Sequence, residues 1–213
     1  MHLQTLRGHV GDVVALVVGQ DGKLYSGGTD CAVMVWSSVD AAAPHGANHL
    51  QTLVGHTAAV NALAVGTDGS IYSASGDTTI RVWSGGNASS HLRTLQGHTK
   101  SIEALAVGRD GTIYSGSRDK TIRVWRGTDG GHMHTLVGHT EFIRALAIGA
   151  DGKLFSGSFS EIKVWSDGRD VSPVHTPTRG GWYRSVSCLA VGRDGSLYSG
   201  SSAIRGIPPL LRW

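Results

Sequence analysis

Residues 92–125 read LRTLQGHTKSIEALAVGRDGTIYSGSRDKTIRVW, and most of the chain consists of copies of this stretch. The copies share three landmarks, which are a Gly-His pair, an Asp-Gly pair and a closing tryptophan. The histidines of the Gly-His pairs are His9, His56, His98 and His139, and the tryptophans are Trp36, Trp83, Trp125, Trp165 and, in the last copy, Trp213. These histidines follow one another at intervals of 41 to 47 residues. Such a period is the signature of a repeat array.

Each copy reads as four short β-strands. In residues 92–125 the segments LRTL, IEALAVG, TIYSGS and TIRVW are rich in β-branched and aromatic residues, and Gly- or Asp-containing turns separate them. No copy contains an apolar period of helical type that is long enough to compete. Four strands in a repeat of about 40 residues predict an all-β protein and are typical of a β-propeller blade.

The motifs GHTxxV, DGxIYSGSxD and IRVW resemble those of the WD-repeat β-propeller family, although Ser or Arg follows the closing tryptophan of the first four copies, where the family has Asp. The resemblance implies a single domain, residues 1–213, of about five four-stranded blades. The repeats lie at about 1–36, 49–83, 91–125, 132–165 and 174–213. In this family the N-terminal strand, here residues 2–6, completes the last blade. The alternative is a fragment of a larger, seven-bladed propeller.

The last repeat departs from the others and is expected to be degenerate. Pro208 and Pro209 interrupt its final strand, and Arg212 stands where the other repeats have valine. The fourth repeat is one residue short before its tryptophan, and the turn aspartate of the first three repeats has no clear counterpart there.

Composition and charge argue against several classes of function. The formal net charge is +3, and the Lys and Arg residues are scattered without a basic block, so no nucleic-acid partner is expected. The longest aliphatic run, Val13–Val18, is too short to cross a bilayer. Cys/His pairs at zinc spacing and the GxxxxGK[ST] phosphate loop are absent from the sequence, so no metal or cofactor is expected. The expected location is the cytoplasm, with the nucleus as an alternative.

The two cysteines do not form a disulfide framework. Cys188 occupies a position that the other repeats fill with alanine, so we expect a small buried apolar residue there. Cys31 lies in a turn between two strands and is expected to be exposed.

A Ser, a His and an Asp recur together in three successive repeats, which invites comparison with a hydrolase triad. A triad enzyme needs only one such set, whereas here each set accompanies a tryptophan, so the repetition indicates a structural role. The family resemblance implies a hydrogen-bonded chain within each blade that satisfies its buried polar groups. The predicted network residues are Ser26, His9, Asp30 and Trp36; Ser73, His56, Asp77 and Trp83; Ser115, His98, Asp119 and Trp125; and Ser156, His139 and Trp165.

Function is then expected at the loops where the repeats differ, at the Gly-His end of the blades. The predicted partner-binding residues are Lys100, Ser101, Glu103, Arg118, Glu141, Phe142, Arg144 and Phe159. Phe142 and Phe159 are large apolar residues at positions that are otherwise small or polar, as in interface hot spots. The alternative for these two is a local lid in which they fold over each other.

These observations predict a non-catalytic scaffold that binds partner proteins or peptides on its Gly-His face. The resemblance implies partners such as ubiquitin-ligase, signalling or cytoskeletal assemblies. The rival hypothesis is an enzyme or small-molecule binder that uses the central channel, with Glu103 and Arg144 as its charged groups. Self-association is expected if the ring of blades is not closed.

Overall fold

The computed structural model describes residues 5–37, 48–85, 90–159, 161–166, 185–201 and 210–212, together with the main chain of residues 170–174. Every regular element in this part is a β-strand, as predicted. The strands are β1 (Val13–Val18), β2 (Leu24–Gly28), β3 (Val33–Trp36), β4 (His49–Leu53), β5 (Val60–Val65), β6 (Ile71–Ser75), β7 (Ile80–Trp83), β8 (His91–Leu95), β9 (Ile102–Val107), β10 (Ile113–Ser117), β11 (Thr121–Trp125), β12 (His132–Val137), β13 (Ala145–Ile148), β14 (Leu154–Gly157), β15 (Ile162–Ser166), β16 (Asp170–Val174), β17 (Val186–Val191), β18 (Leu197–Ser201) and β19 (Leu210–Arg212).

The strands form five antiparallel sheets. The first four sheets contain β1–β4, β5–β8, β9–β12 and β13–β16, each with its strands in chain order, and the fifth contains β17–β19 among the described residues. The prediction of an all-β fold with about five sheets is confirmed. Tight Asp-Gly turns join the first two strands of each sheet. In the third sheet, for example, Gly111 has a φ of 83°, which glycine adopts readily.

In the part of the chain that the structure describes, the outer strand of each of the first four sheets lies between that sheet and the next one in the sequence. The strand β4 pairs with β3, placing Leu53 opposite Val33, and the chain then continues directly into β5 of the second sheet. The N-terminal strand predicted to pair with the last sheet comprises residues 2–6, and residues 2–4 lie outside the described part, so this pairing stays a prediction. Pro208, Pro209 and Trp213 also lie outside it.

The chain divides into two compact units, Met1–Ile102 and Glu103–Trp213. The first unit contains the first two sheets and Ile102, the first residue of the third sheet. The second unit contains the rest of the third sheet, the fourth sheet and the fifth sheet. The assignment of residues 1–213 to a single domain stays a prediction.

Neighbouring sheets within a unit pack face to face through a glycine. A side chain on Gly27 would lie only 2.6 Å from Cγ1 of Val60, the first residue of the next sheet. In the second unit, Gly116 meets Ile143 and Gly157 meets Val186 in the same way, each at 2.5 Å. The absence of a Cβ therefore lets the two sheets approach closely.

The apolar cores lie between these sheets. In the first unit Tyr25, Val33, Val35 and Leu53 of the first sheet pack against Val60, Ile71 and Trp83 of the second. The second unit contains two such clusters, one between its first two sheets and one between its last two. Partly buried residues on the first strands of the second, fourth and fifth sheets, such as Leu63 and Val65, pack against these clusters.

The first strand of the first sheet differs from its counterparts in exposure. Val13, Leu16 and Val18 on β1 are 50%, 63% and 63% exposed, whereas Val60, which occupies the position of Val13 in the second sheet, is fully buried. The repeated apolar positions of this strand are therefore present in the first sheet, but they are not covered there.

The structure corrects the prediction for Cys188, which is exposed and not buried. The residue pairs with Gly200 across β17 and β18, as Ala145 pairs with Gly157 in the fourth sheet. Ala145 is buried because the next sheet packs over it, whereas this face of the fifth sheet is exposed around Cys188. The other cysteine, Cys31, is half-buried, although exposure was predicted.

Candidate functional site

The first two sheets each contain a complete chain of polar contacts beneath the Gly-His loop. In the second sheet Trp83 donates its indole N–H to Ser73 Oγ (2.8 Å), and His56 Nε2 lies 2.8 Å from the same oxygen. On the other side of the ring, His56 Nδ1 lies 2.7 Å from the carboxylate of Asp77. That carboxylate also accepts the N–H of Thr57 at 3.1 Å. The loop is thereby tied to the strands.

The first sheet repeats this geometry with Trp36, Ser26, His9 and Asp30. The three side-chain contacts are 2.8 Å from Trp36 to Ser26, 2.7 Å from Ser26 to His9, and 2.9 Å from His9 to Asp30. Asp30 also accepts the N–H of Val10 at 3.0 Å. The two chains have the same order of groups, so a single proton arrangement fits both.

That arrangement keeps the histidine neutral. With the proton on Nδ1, His56 donates to Asp77, and its Nε2 accepts the hydroxyl proton of Ser73, whose oxygen accepts the indole N–H. Burial lowers the pKa of His56 and outweighs the neighbouring Asp77, which favours the charged form. Burial alone would raise the pKa of Asp77, but hydrogen bonds from Thr79, His56 and two backbone N–H groups lower it to about 2.

In the third sheet, the hydrogen bonds among the strand and turn residues of this network are as follows. Trp125 donates to Ser115 Oγ at 2.9 Å, and Asp119 accepts both the N–H and the hydroxyl of Thr121 at 3.0 and 2.6 Å. His98, which belongs to the first unit, is also buried.

In the fourth sheet a glutamate takes the place of the aspartate, which the sequence reasoning missed. Trp165 donates to Ser156 (2.8 Å), Ser156 lies 2.6 Å from His139 Nε2, and His139 Nδ1 lies 2.9 Å from Glu161 Oε1. The turn is one residue shorter than in the first three repeats, and the longer glutamate side chain spans the difference. Burial opposes the ionisation of Glu161, but hydrogen bonds from Thr140 and His139 outweigh it and lower its pKa.

These sets are not arranged as catalytic triads. The hydroxyl groups of Ser73, Ser115 and Ser156 belong to fully buried residues, and a tryptophan N–H occupies each oxygen. A triad needs a nucleophile that substrate can reach beside an oxyanion site. The recurring His, Ser and carboxylate side chains therefore connect loops to strands.

The rim comprises the loops that enter the first strand of each sheet and the turns that leave its second strand. Backbone hydrogen bonds join the two in each unit: Gly76 N–H donates to Ala59 O, and Arg144 N–H donates to Gly157 O, both at 2.9 Å. In the first, second and fifth sheets the strand register shifts at this point, so Val14, Asn61 and Ser187 are extra, bulged residues. Bulges re-aim side chains and are common next to functional sites.

The rim of the first unit contains two of the predicted binding residues. Lys100 is exposed, and Ser101 is half-buried. Asn61 donates its side-chain amide to Ser101 Oγ at 3.1 Å and to Ile102 O at 3.0 Å. This bulged asparagine therefore fixes the loop that carries Ser101.

The rim of the second unit contains the other six. Arg118 Nε lies 2.7 Å from Glu103 Oε1, so these two predicted residues form an ion pair within the third sheet. Arg144, the residue paired with Glu103 in the rival hypothesis, has an exposed side chain. Phe159 is 45% exposed and Phe142 is half-buried.

Lys120 is a rim residue that the sequence reasoning did not select. Its ammonium group donates to Thr140 O at 2.6 Å and lies 3.8 Å from Glu141, so it links the turn of the third sheet to the Gly-His loop of the fourth. Lys120 also has a φ of 72°, as do Thr78 (72°) and Cys31 (66°) at the same turn position. In the sequence, the position of Lys120 directly after the turn aspartate, which recurs in the first three repeats, was the signal that could have identified it.

The described residues contain neither a candidate metal cluster nor a helix of membrane-spanning type. Their His, Cys, Asp and Glu side chains include no group of three or more that could hold a metal ion. In the same part of the chain, no helix is long and apolar enough to span a membrane.

Comparison with known proteins identifies the family. The model of the WD domain, G-beta repeat matches residues 1–37, 47–84, 89–126 and 130–166, which is most of the sequence, so the chain belongs to this family. Curated proteins gave no significant match.

Solved structures show the same fold. The WD40 β-propeller domain of Doa1 is 27% identical and superposes with a TM-score of 0.78 over 99% of this chain and 66% of that one. The RRP9 WD40 repeats and U3-55K are each 24% identical, with TM-scores of 0.80 over 92% of this chain and 59% and 60% of theirs. The chain spans less than two thirds of each of these structures.

Proposed function

We propose that this chain is a non-catalytic scaffold that binds a partner protein or peptide at the rim of its second unit. The observation that carries the proposal is Phe159, which is 45% exposed at a turn position that holds Thr29, Gly76 and Arg118 in the first three sheets. An exposed aromatic residue that no structural repeat requires is a candidate anchor for a partner.

Arg144 and Phe142 support the same place. Arg144 lies one residue before β13, and its amide is bonded to Gly157, two residues before Phe159. Arginine and aromatic residues dominate binding hot spots. Arg118 and Lys120 are already engaged by Glu103 and by the backbone of Thr140. The exposed guanidinium of Arg144 therefore supplies the cation of the proposed site.

The geometry favours the scaffold over the rival enzyme. Glu103 is paired with Arg118 at 2.7 Å, so the carboxylate that the rival hypothesis assigns to the central channel is engaged in an ion pair. The repeated Ser, His and carboxylate groups are occupied within their networks.

The proposal is tested by capturing partners from lysate, identifying them, and titrating a purified partner against defined variants. Phe142→Ala and Phe159→Ala should each weaken binding by more than about 1 kcal/mol. Met133→Ala is the matched control, because Met133 is similarly exposed but lies on the outer strand β12, away from the rim. All variants should retain the wild-type unfolding midpoint. If Met133→Ala and Phe159→Ala weakened partner binding equally, the binding site would not lie at the rim.

A further inference from the structure

We propose that Arg81 is the binding site for a carboxylate on an acidic segment of a partner protein. Arg81 is the second residue of β7 and is half-buried. Its Nε is buried and has no hydrogen-bond partner, and within the described part of the chain no ion pair engages its guanidinium. Its two terminal nitrogens are not buried, so an anion in solution can reach them. The site lies within the first unit and does not depend on the function proposed above.

The guanidinium of Arg81 lies against the Gly-His loop of the second sheet. A side chain on Gly55 would lie only 2.6 Å from Nη1 and 2.8 Å from Cζ of Arg81, so the glycine leaves room for the guanidinium there. Val54, the residue before this glycine, is 72% exposed. A ligand at Arg81 would therefore meet a cation close to an exposed apolar side chain.

The turn carboxylate of the same sheet does not neutralise Arg81. Asp77 accepts hydrogen bonds from His56, Thr57 and Thr79. Among the residues that the structure describes, no ion pair links Asp77 to Arg81. Burying part of a cation without a partner is unfavourable. A carboxylate from another molecule would supply two acceptor oxygens for the terminal nitrogens of the guanidinium.

The fourth sheet shows which group satisfies a cation at this position. Lys163 occupies there the position of Arg81, opposite the network serine of its sheet. Its side chain is 13% exposed, and its ammonium group lies 3.4 Å from Glu161 Oε2. The chain therefore places a carboxylate against this cation in the fourth sheet, whereas in the second sheet the carboxylate is left for another molecule to supply.

The equivalent positions in the first and third sheets differ from Arg81. Met34 carries no charge and packs against Gly8, where a side chain would lie 2.8 Å from its sulfur. Arg123 also has a buried Nε without a partner, but its guanidinium lies 5.9 Å from the centroid of the Trp125 ring, which is a favourable cation–π contact. Because methionine occupies this position in the first sheet, the fold does not require a charge there. Arg81→Met should therefore retain the wild-type unfolding midpoint.

The first test measures the binding of a fluorescein-labelled hexapeptide of alternating glutamate and leucine by fluorescence anisotropy. Arg81→Met should raise the dissociation constant roughly tenfold, because a charge-assisted hydrogen-bonded pair is lost. Arg81→Lys should raise it less, because lysine keeps the charge but not the two parallel donors. Arg126→Met is the matched control, because it removes the same charge from an exposed arginine that is paired with Asp129, and it should change the dissociation constant by less than about twofold. Equal losses for Arg81→Met and Arg126→Met would overturn the proposal, as would a wild type that does not bind the peptide at millimolar concentration.

The second test follows Arg81 by NMR spectroscopy of the wild-type chain, so it does not depend on the folding of a variant. The Nε–Hε signal of Arg81, identified by its absence from the spectrum of Arg81→Lys, should shift as the peptide is added. The same peptide with glutamine in place of glutamate is the control and should leave the signal unchanged.

Sodium acetate and sodium phosphate at equal ionic strength distinguish a carboxylate from a phosphate as the ligand of Arg81. Acetate should shift the Nε–Hε signal in the direction that the glutamate peptide does. If phosphate alone shifted the signal, the assignment of a carboxylate would be wrong. If no anion shifted it, Arg81 would have a purely structural role, and the proposal would be overturned.

Discussion

Asp77→Ala should be among the most damaging single changes in the second sheet. Asp77 accepts four hydrogen bonds, which come from His56 Nδ1, Thr57 N, Thr79 N and Thr79 Oγ1 at 2.7 to 3.1 Å. The side chain of His56 is 1% exposed, so its N–H would be left without a partner and without water. An orphaned buried donor costs about 1–3 kcal/mol, and the other lost bonds bring the expected total to about 2–4 kcal/mol.

Asp68→Ala is the matched control for this prediction. Asp68 lies in the same sheet and also accepts the backbone N–H and the hydroxyl of the residue two positions on, Ser70, at 3.0 and 2.9 Å. Asp68 is exposed, so water replaces it, and the expected cost is about 0.5 kcal/mol. Urea unfolding of both variants measures the difference. Equal free energies of unfolding for the two would refute the network argument.

The same carboxylate gives a pH dependence of known sign. The pKa of Asp77 is lowered from 3.8 to about 2 in the folded chain, so ionised Asp77 stabilises the fold at pH values above about 4. This contribution is lost as the pH falls from about 4 to about 2, and partial exposure reduces it to about 1–2 kcal/mol. The gap between wild type and Asp77→Ala should narrow over this range. A constant gap from pH 7 down to pH 2 would contradict the assignment.

Three further substitutions test the fold by urea unfolding. Glu161→Asp should lower the free energy of unfolding by about 1–2 kcal/mol, because the shorter side chain does not reach His139 across the shortened turn. Unchanged stability would contradict the proposed role of Glu161 in this hydrogen bond. Gly116→Ala should cost about 1–3 kcal/mol, because the added Cβ meets Ile143, and a neutral result would mean that the two sheets separate easily. Thr78→Asn should stabilise by about 0.5–1 kcal/mol, because a β-branched residue is strained at a φ of 72°, and a loss of stability would show that Thr78 makes a needed contact.

The sheets were predictable because the repeat compares the chain with itself. A period-2 apolar pattern between Gly and Asp turns fixed the strands, and the recurrence of Ser, His, Asp and Trp pointed to their joint role. The repeat also hid one partner. Glu161 was missed because aligning the repeats residue by residue compares only equivalent positions. In the fourth repeat the turn is one residue shorter, and the longer glutamate side chain brings a carboxylate to the position that aspartate occupies in the other sheets.

Burial at the outer sheets was not predictable in this way. Cys188 and Val13 stand at positions that are buried elsewhere, and their exposure depends on what packs against the first and fifth sheets. A sequence register states which face a residue occupies, but not whether another sheet covers that face. The ion pair of Arg118 with Glu103 was missed for a similar reason. The alignment of the repeats gives the position of each long side chain at the rim, but it does not give the group that the side chain contacts.

The strand exchange between consecutive repeats has a consequence for how such chains change length. The strands β4 and β8 meet β3 and β7 in the same register, with His49 opposite Trp36 and His91 opposite Trp83, including the irregularity beside each tryptophan. If recombination removed the segment from His49 to Ser90, β8 would follow β3 in the sequence and could pair with it as β4 does. The first sheet would then keep four strands. The unit that is copied or lost in the gene straddles two sheets, so the number of sheets is free to vary while every remaining sheet stays whole.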